Sequence, residues 1–273
     1  MKINKAAIKD VIIALAVFPA ALLILKILAH FVWPPMTNEF MAGALSEALF
    51  AVVILIITLV LRKTEIYKFD FEVFAENWTC GTYFIVLFGI AINTAIALKY
   101  EITEPVGNII LFVIEMLLVG YCEETIFRGL VQRSFHELFG EDSTAAVKLA
   151  VFVSSIFFAL IHILNAMSVN ISIKAALTQT VMTIAIGMCF GAIYFRTGKC
   201  LWYVMVLHAL NDASAYIVNN RLGGTSATDP ISAYEELGLF EIAAPMILYV
   251  GLALFLMRNK KVQPLLKEKE GTE

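Results

Sequence analysis

Charge is scarce in this 273-residue chain: Asp, Glu, Lys and Arg make up 16% of it, against 60% hydrophobic residues and a mean hydropathy of +0.82. A soluble globular domain carries about a quarter charged residues, so the shortage excludes a soluble enzyme and a disordered chain. There is no basic excess either. The formal net charge of −3 and a pI near 5.9 exclude a nucleic-acid binder. Cysteine is sparse: the four residues Cys80, Cys122, Cys189 and Cys200 lie far apart with no C-x-x-C, which leaves neither a disulfide scaffold nor a zinc ribbon. They read as small apolar residues within helices. Internal repeats, low-complexity tracts and a second domain are also lacking.

What fills the chain is long apolar runs. A membrane-spanning helix needs about 20 mostly apolar residues, and eight segments qualify: roughly 10–33, 41–61, 80–98, 106–127, 146–165, 173–195, 200–219 and 239–257. The expected fold is an all-α polytopic membrane protein with about eight transmembrane helices, one transmembrane domain over 1–273 and a polar tail at 259–273. The first run follows Lys2, Lys5 and Lys9 like a signal peptide, but it is too long for one and has no small-x-small cleavage site, so it reads as an anchor. Sixteen of the twenty Lys and Arg residues fall at the N-terminus, in the 2–3, 4–5 and 6–7 connections and in the C-terminal tail, whereas Lys99, Lys174 and Arg221 lie on the other side. The positive-inside rule then predicts both termini in the cytoplasm.

Some patterns read as structural. Phe71, Phe74, Ala75 and Trp78 have helical spacing suited to a short helix on the membrane surface. Gly187-x-x-x-Gly191 suits close helix packing. Glu47, Asn93 and Glu115 lie inside spans with no evident partner and read as polar contacts between helices. His136-Glu137 begins like a zincin motif, but Gly140 stands where the second histidine would be needed.

Ionisable side chains inside a membrane require an explanation, and three spans carry a cluster of them: Glu123, Glu124 and Arg128; His162; His208 and Asp212. Glu124 and Arg128, at i and i+4, share a face in the favourable order, so the arginine can hold that carboxylate ionised. Glu123 points about 100° away around the helix and is available to another partner. Glu123 and His162 are equidistant from Gly140–Ser143, the obvious turn of the 4–5 hairpin, which predicts them at one height on antiparallel neighbours. His208 lies about 15 Å from the 6–7 turn and the 4–5 pair about 30 Å from its own. The three meet if that hairpin projects about 15 Å beyond the membrane, which places the site in the cytoplasmic half. A carboxylate and an imidazole at one level can hold and deprotonate water. Asp212, one turn from His208, can fix its tautomer and leave an N–H for an oxyanion. Two histidines and a glutamate could also ligate zinc with an open position.

Glu123-Glu124-x-x-x-Arg128, Phe158-x-x-x-His162 and His208-x-x-x-Asp212 resemble, in order and spacing, the three motifs of the CAAX protease and bacteriocin-processing (Abi) family, which includes the Ras-converting prenyl-protein proteases. The resemblance covers about 106–220, the implied catalytic core; spans 1–3 and 8 carry no diagnostic residue. It implies an all-helical intramembrane endopeptidase of the glutamate type. Glu123 would be the base, His162 its helper in activating water, and His208 with residue 212 the oxyanion stabilisers, with Glu124 and Arg128 completing the first motif. No cofactor is implied, since the glutamate reading needs no metal. The prenyl-protein proteases have Asn at the last position, and bacterial relatives have Asn or Asp. An ionised Asp212 cannot donate to an oxyanion, so orienting His208 suits it better.

The expected partners are a peptide or protein substrate, reached from the cytoplasmic side or the inner leaflet, and membrane lipid, but no nucleic acid. The compact loops point to a bacterial plasma membrane. Two other readings of the cluster stand beside the protease: a proton-coupled transporter, and a non-proteolytic scaffold of the bacteriocin-immunity type.

Overall fold

The computed structural model describes residues 4–32, 37–167, 171–220, 222–223 and 230–270, and among these it contains helices and no strand. Lys2, Arg221 and the tail beyond 270 lie outside the described residues. Eight long helical stretches occupy the eight predicted spans: α1 (Ile8–Val32), α2 (Glu39–Val60), then, after a short surface helix α3 (Phe71–Asn77), α4 (Thr82–Ala97) and α5 (Val106–Glu124). α5 runs on through a π-helical segment, Thr125–Gln132, into α6 (Arg133–Phe139). α7 (Thr144–Leu160) continues as a 3₁₀ turn, Ile161–Met167, and α8 (Ile173–Arg196) and α9 (Leu201–Val218) follow. The short α10 (Pro230–Ala233), α11 (Leu239–Leu256) and the C-terminal α12 (Asn259–Glu270) complete the chain.

Seven of these stretches are long and apolar enough to cross a membrane, so the protein is an integral membrane protein. The eighth, α9, has 18 residues and falls short because it carries His208, Asn211 and Asp212. The span that fails on apolarity is one that holds part of the polar cluster.

Capping side chains mark the helix starts. Asn38, Asp70, Ser143 and Ser172 accept from the backbone N–H groups of Met41, Val73, Ala146 and Ala175, satisfying donors that the first turn leaves open. Gly140, at φ +81°, closes α6 where the sequence places the hairpin turn, and Gly198, at φ +64°, makes the turn between α8 and α9. A side chain at Gly198 would stand 2.7 Å from the Asp70 carbonyl, so the 2–3 connection seats directly on that turn.

The connections sort to two ends. Asn4 N–H bonds the Leu138 carbonyl at 2.8 Å, Lys63 pairs with Asp10 at 3.5 Å, and Lys199 with Glu141 at 2.6 Å. Arg196 donates to the Lys261 carbonyl and to Asn77. Both ends of the described chain and the 2–3, 4–5 and 6–7 connections thus share one end of the bundle, here the terminal end. Asn38 meets Asn108 at 2.9 Å, and Thr103 N–H meets the Leu222 carbonyl at 3.1 Å, at the far end. α5 packs between α2 and α9, α8 packs against α7 and α11, and α4 lies on α9. All four cysteines are free, and Cys122, Cys189 and Cys200 are buried.

Candidate active site

Two close approaches assemble the site. At Gly120 a Cβ would run into the Met205 backbone carbonyl, so its absence lets α5 lie directly on α9, one turn from Glu123 and Glu124. At Gly187 a Cβ would stand 3.0 Å from the Phe158 ring and 3.2 Å from Ser155, and at Gly191 2.6 Å from Gln132. The small-residue pattern in α8 therefore does pack closely, against α7 and the π-helical segment. That segment begins at Thr125, directly after the two glutamates, and all eight of its residues are buried; π-turns inside α-helices occur frequently at functional sites.

Glu124 is fully buried and has two partners. Arg128 Nη1 lies 3.1 Å from its Oε1, as the i, i+4 spacing predicts, and His208 Nδ1 lies 2.6 Å from the same oxygen. Arg128 also donates to the Gly187 carbonyl at 3.2 Å, and its guanidinium stands 4.3 Å from the centre of the Phe158 ring. The imidazole of His208 is stacked on Phe190, with centroids 5.1 Å apart at 14°. Its Nε2 faces Asp212 Oδ2 at 3.3 Å and Glu123 Oε2 at 3.6 Å. Glu123 retains 21% exposure, in contrast to Glu124. Both ring nitrogens of His208 therefore look at carboxylates, and Glu124, as well as Asp212, governs which hydrogens they carry.

The structure does not bond Glu123 to His162. His162 sits in the 3₁₀ turn after α7, and its Nδ1 is 3.1 Å from the Phe158 carbonyl. A carbonyl only accepts, so that nitrogen donates and Nε2 of the neutral ring is left as an acceptor. The His162 and His208 rings both stand edge-on to Phe158, at 5.3 and 6.0 Å. His162, His208 and Asp212 line one cavity of about 550 Å³, with Glu123 beside it against His208.

Two residues of the neighbourhood escaped the sequence reading. Asn211 lines the cavity, donates to Asp212 Oδ1 at 3.1 Å and accepts from Tyr249 OH at 3.3 Å. Tyr249, from α11, reaches His208 by a second route, since its ring stacks on Phe84 at 6.0 Å, Phe84 on Phe190 at 4.6 Å, and Phe190 on His208. Glu47 and Glu115, read as isolated polar residues, line the same cavity, whereas Asn93 donates to the Gly89 carbonyl of its own helix at 2.7 Å. Among the described residues, no group of three or more His, Cys, Asp or Glu side chains is arranged to hold a metal ion.

The segment that builds this arrangement is also the one with known relatives. Residues 105–214 match the model of the type II CAAX prenyl endopeptidase Rce1-like family. That segment is similar to the CAAX protease family. The match takes in all three motifs and ends just after Asp212, so Tyr249 and Phe84 come from outside it. No curated protein and no solved structure matches the chain. The match supports an intramembrane protease activity of the CAAX type in general terms.

Proposed function

We propose that the chain is an intramembrane endopeptidase that hydrolyses a peptide bond with water activated by Glu123 and His162. The observation that carries the reading is the division of labour between adjacent glutamates. Glu124 is buried and spent on Arg128 and His208, while Glu123 is partly exposed and faces the Nε2 side of His208. In this reaction Glu123 takes a proton from a water that also donates to Nε2 of His162. The water oxygen attacks the scissile carbonyl carbon, the C–N bond breaks, and the proton held by Glu123 passes to the leaving amine.

The oxyanion forms beside His208. The Nε2 hydrogen there, which faces Asp212 Oδ2 at 3.3 Å, is one donor once the oxyanion takes over that contact, while Glu124 holds the ring at Nδ1. The Asn211 amide has a second hydrogen beyond the one it gives to Asp212, and it lines the same cavity. No step in this scheme calls for a metal.

The test compares new peptide termini, by mass spectrometry of membranes and medium, in cells making the wild type or Glu123→Gln at matched expression. Termini that need Glu123 establish proteolysis and identify substrates. Identical profiles, with the mutant folded, overturn it.

A further inference from the structure

The sequence reading brings the substrate to the site from the side on which the termini lie, yet the cavity runs the other way. Most of its lining residues lie towards the end away from the termini, and Leu87, Phe190, His208 and Tyr249 mark its deepest reach. Thr94 is in the last turn of α4, Gln179 in the early turns of α8, Asn219 caps the end of α9, and Tyr234 lies in the far-end connection before α11. On α5 the lining residues Glu115, Met116 and Val119 all precede Glu123, on its far-end side. Ile90 and Val218, which line this half of the cavity, are also exposed on the outside of the bundle.

Towards the terminal end the cavity stops on a floor. Phe158, Phe190 and His208 form it, and the side chains beneath are close-packed and buried: Arg128, Gln132 and Tyr194. Arg128 lies against both Phe158 and Phe190, and Gln132 donates to the Gly191 carbonyl at 3.0 Å.

We infer that the substrate reaches the site from the end of the bundle opposite the termini, which the distribution of Lys and Arg makes the extracytoplasmic side. The inference rests on the protease reading only in calling what enters a substrate. The class of substrate that follows is a peptide or a membrane-protein segment presented outside the cytoplasm or in the outer leaflet.

A membrane-impermeant maleimide, applied to intact cells and to inside-out vesicles, tests this without any turnover, so a failure here is distinguishable from a failure of the protease reading. Met182→Cys and Ile186→Cys report on the cavity, Asn219→Cys on its far-end rim, and Glu137→Cys on the terminal end. Two deep positions are used so that loss of one variant to misfolding leaves the other. The wild type, whose cysteines are mostly buried, supplies the background. Labelling of Met182→Cys or Ile186→Cys and of Asn219→Cys in intact cells, with Glu137→Cys labelled only in inside-out vesicles, is the expected result. Deep cavity labelling only in inside-out vesicles, from both sides, or from neither overturns the inference. So does labelling of Glu137→Cys in intact cells.

Discussion

His208 and Glu124 meet at 2.6 Å, Nδ1 to Oε1, across the contact between α9 and α5, and Arg128 holds the same carboxylate oxygen from the other side at 3.1 Å. The second residue of the glutamate pair is therefore the one that fixes the ring facing the first.

Glu124→Gln keeps the size of the side chain and removes its charge, so His208 exchanges a carboxylate for a neutral amide oxygen as its orienting acceptor. Turnover is expected to fall by about 10–100-fold, with KM little changed because the residue is buried away from the cavity. Glu123→Gln should lose more, about 10²–10⁴-fold, the usual worth of a positioned base. Single-substrate kinetics in detergent or nanodiscs separates the two. Equal losses would show that the glutamates do not divide their roles as proposed.

Arg128→Met removes one half of a buried ion pair and leaves the Glu124 carboxylate with His208 as its remaining partner. Such changes cost about 3–5 kcal/mol, and the midpoint of thermal unfolding should fall accordingly. The paired change Arg128→Met with Glu124→Leu should recover much of that stability and none of the activity.

Gly120→Ala puts a methyl group against the Met205 carbonyl, and backbone cannot yield as a side-chain tip does. The expected result is a loss of about 1–3 kcal/mol together with loss of activity, because the helices that must separate are the ones that carry Glu123 and His208. Gly89→Ala, where nothing lies within 4 Å, should leave both unchanged; thermal shift and turnover on the same preparations check the pair.

Tyr249→Phe retains the ring stacked on Phe84 but removes the hydroxyl that bonds Asn211. As a positioning residue acting through Asn211 and Asp212, it should lower kcat several-fold and leave both KM and the unfolding midpoint near wild type. A drop in stability that parallels the drop in kcat would mark it as a packing residue only.

Much of this arrangement is legible in the residues. Glu124 and Arg128 at i, i+4, Gly140 at the hairpin turn and the basic residues gathered in alternate connections each follow from a local rule, and each has its counterpart in the structure. How Glu123 and His162 face one another is not legible from residue spacing, which takes a uniform α-helical rise. The path between them contains a π segment at Thr125–Gln132 and a 3₁₀ turn at Ile161–Met167, whose rises differ. The Glu124–His208 bond depends on how closely α5 and α9 approach, which the single Gly120 permits but does not announce. Tyr249 sits in an apolar span without an ionisable neighbour and follows no spacing rule; its link to Asn211 exists only once α8, α9 and α11 are packed. The direction of the cavity is likewise a property of the whole bundle.

The closed floor of the cavity also decides where the membrane voltage falls. Water that fills the cavity as far as Phe190 and His208 is at the potential of the side it comes from, so the electric field concentrates across the layer from those rings to the terminal end. Moving one charge through that layer at 100 mV would take about 2.3 kcal/mol. On the proposed mechanism, the proton that Glu123 would take up and return to the leaving amine would not make that passage. Peptide hydrolysis by that route would then be electrically silent, indifferent to an energised membrane, with Arg128 and its aromatic neighbours serving as insulation as well as scaffold.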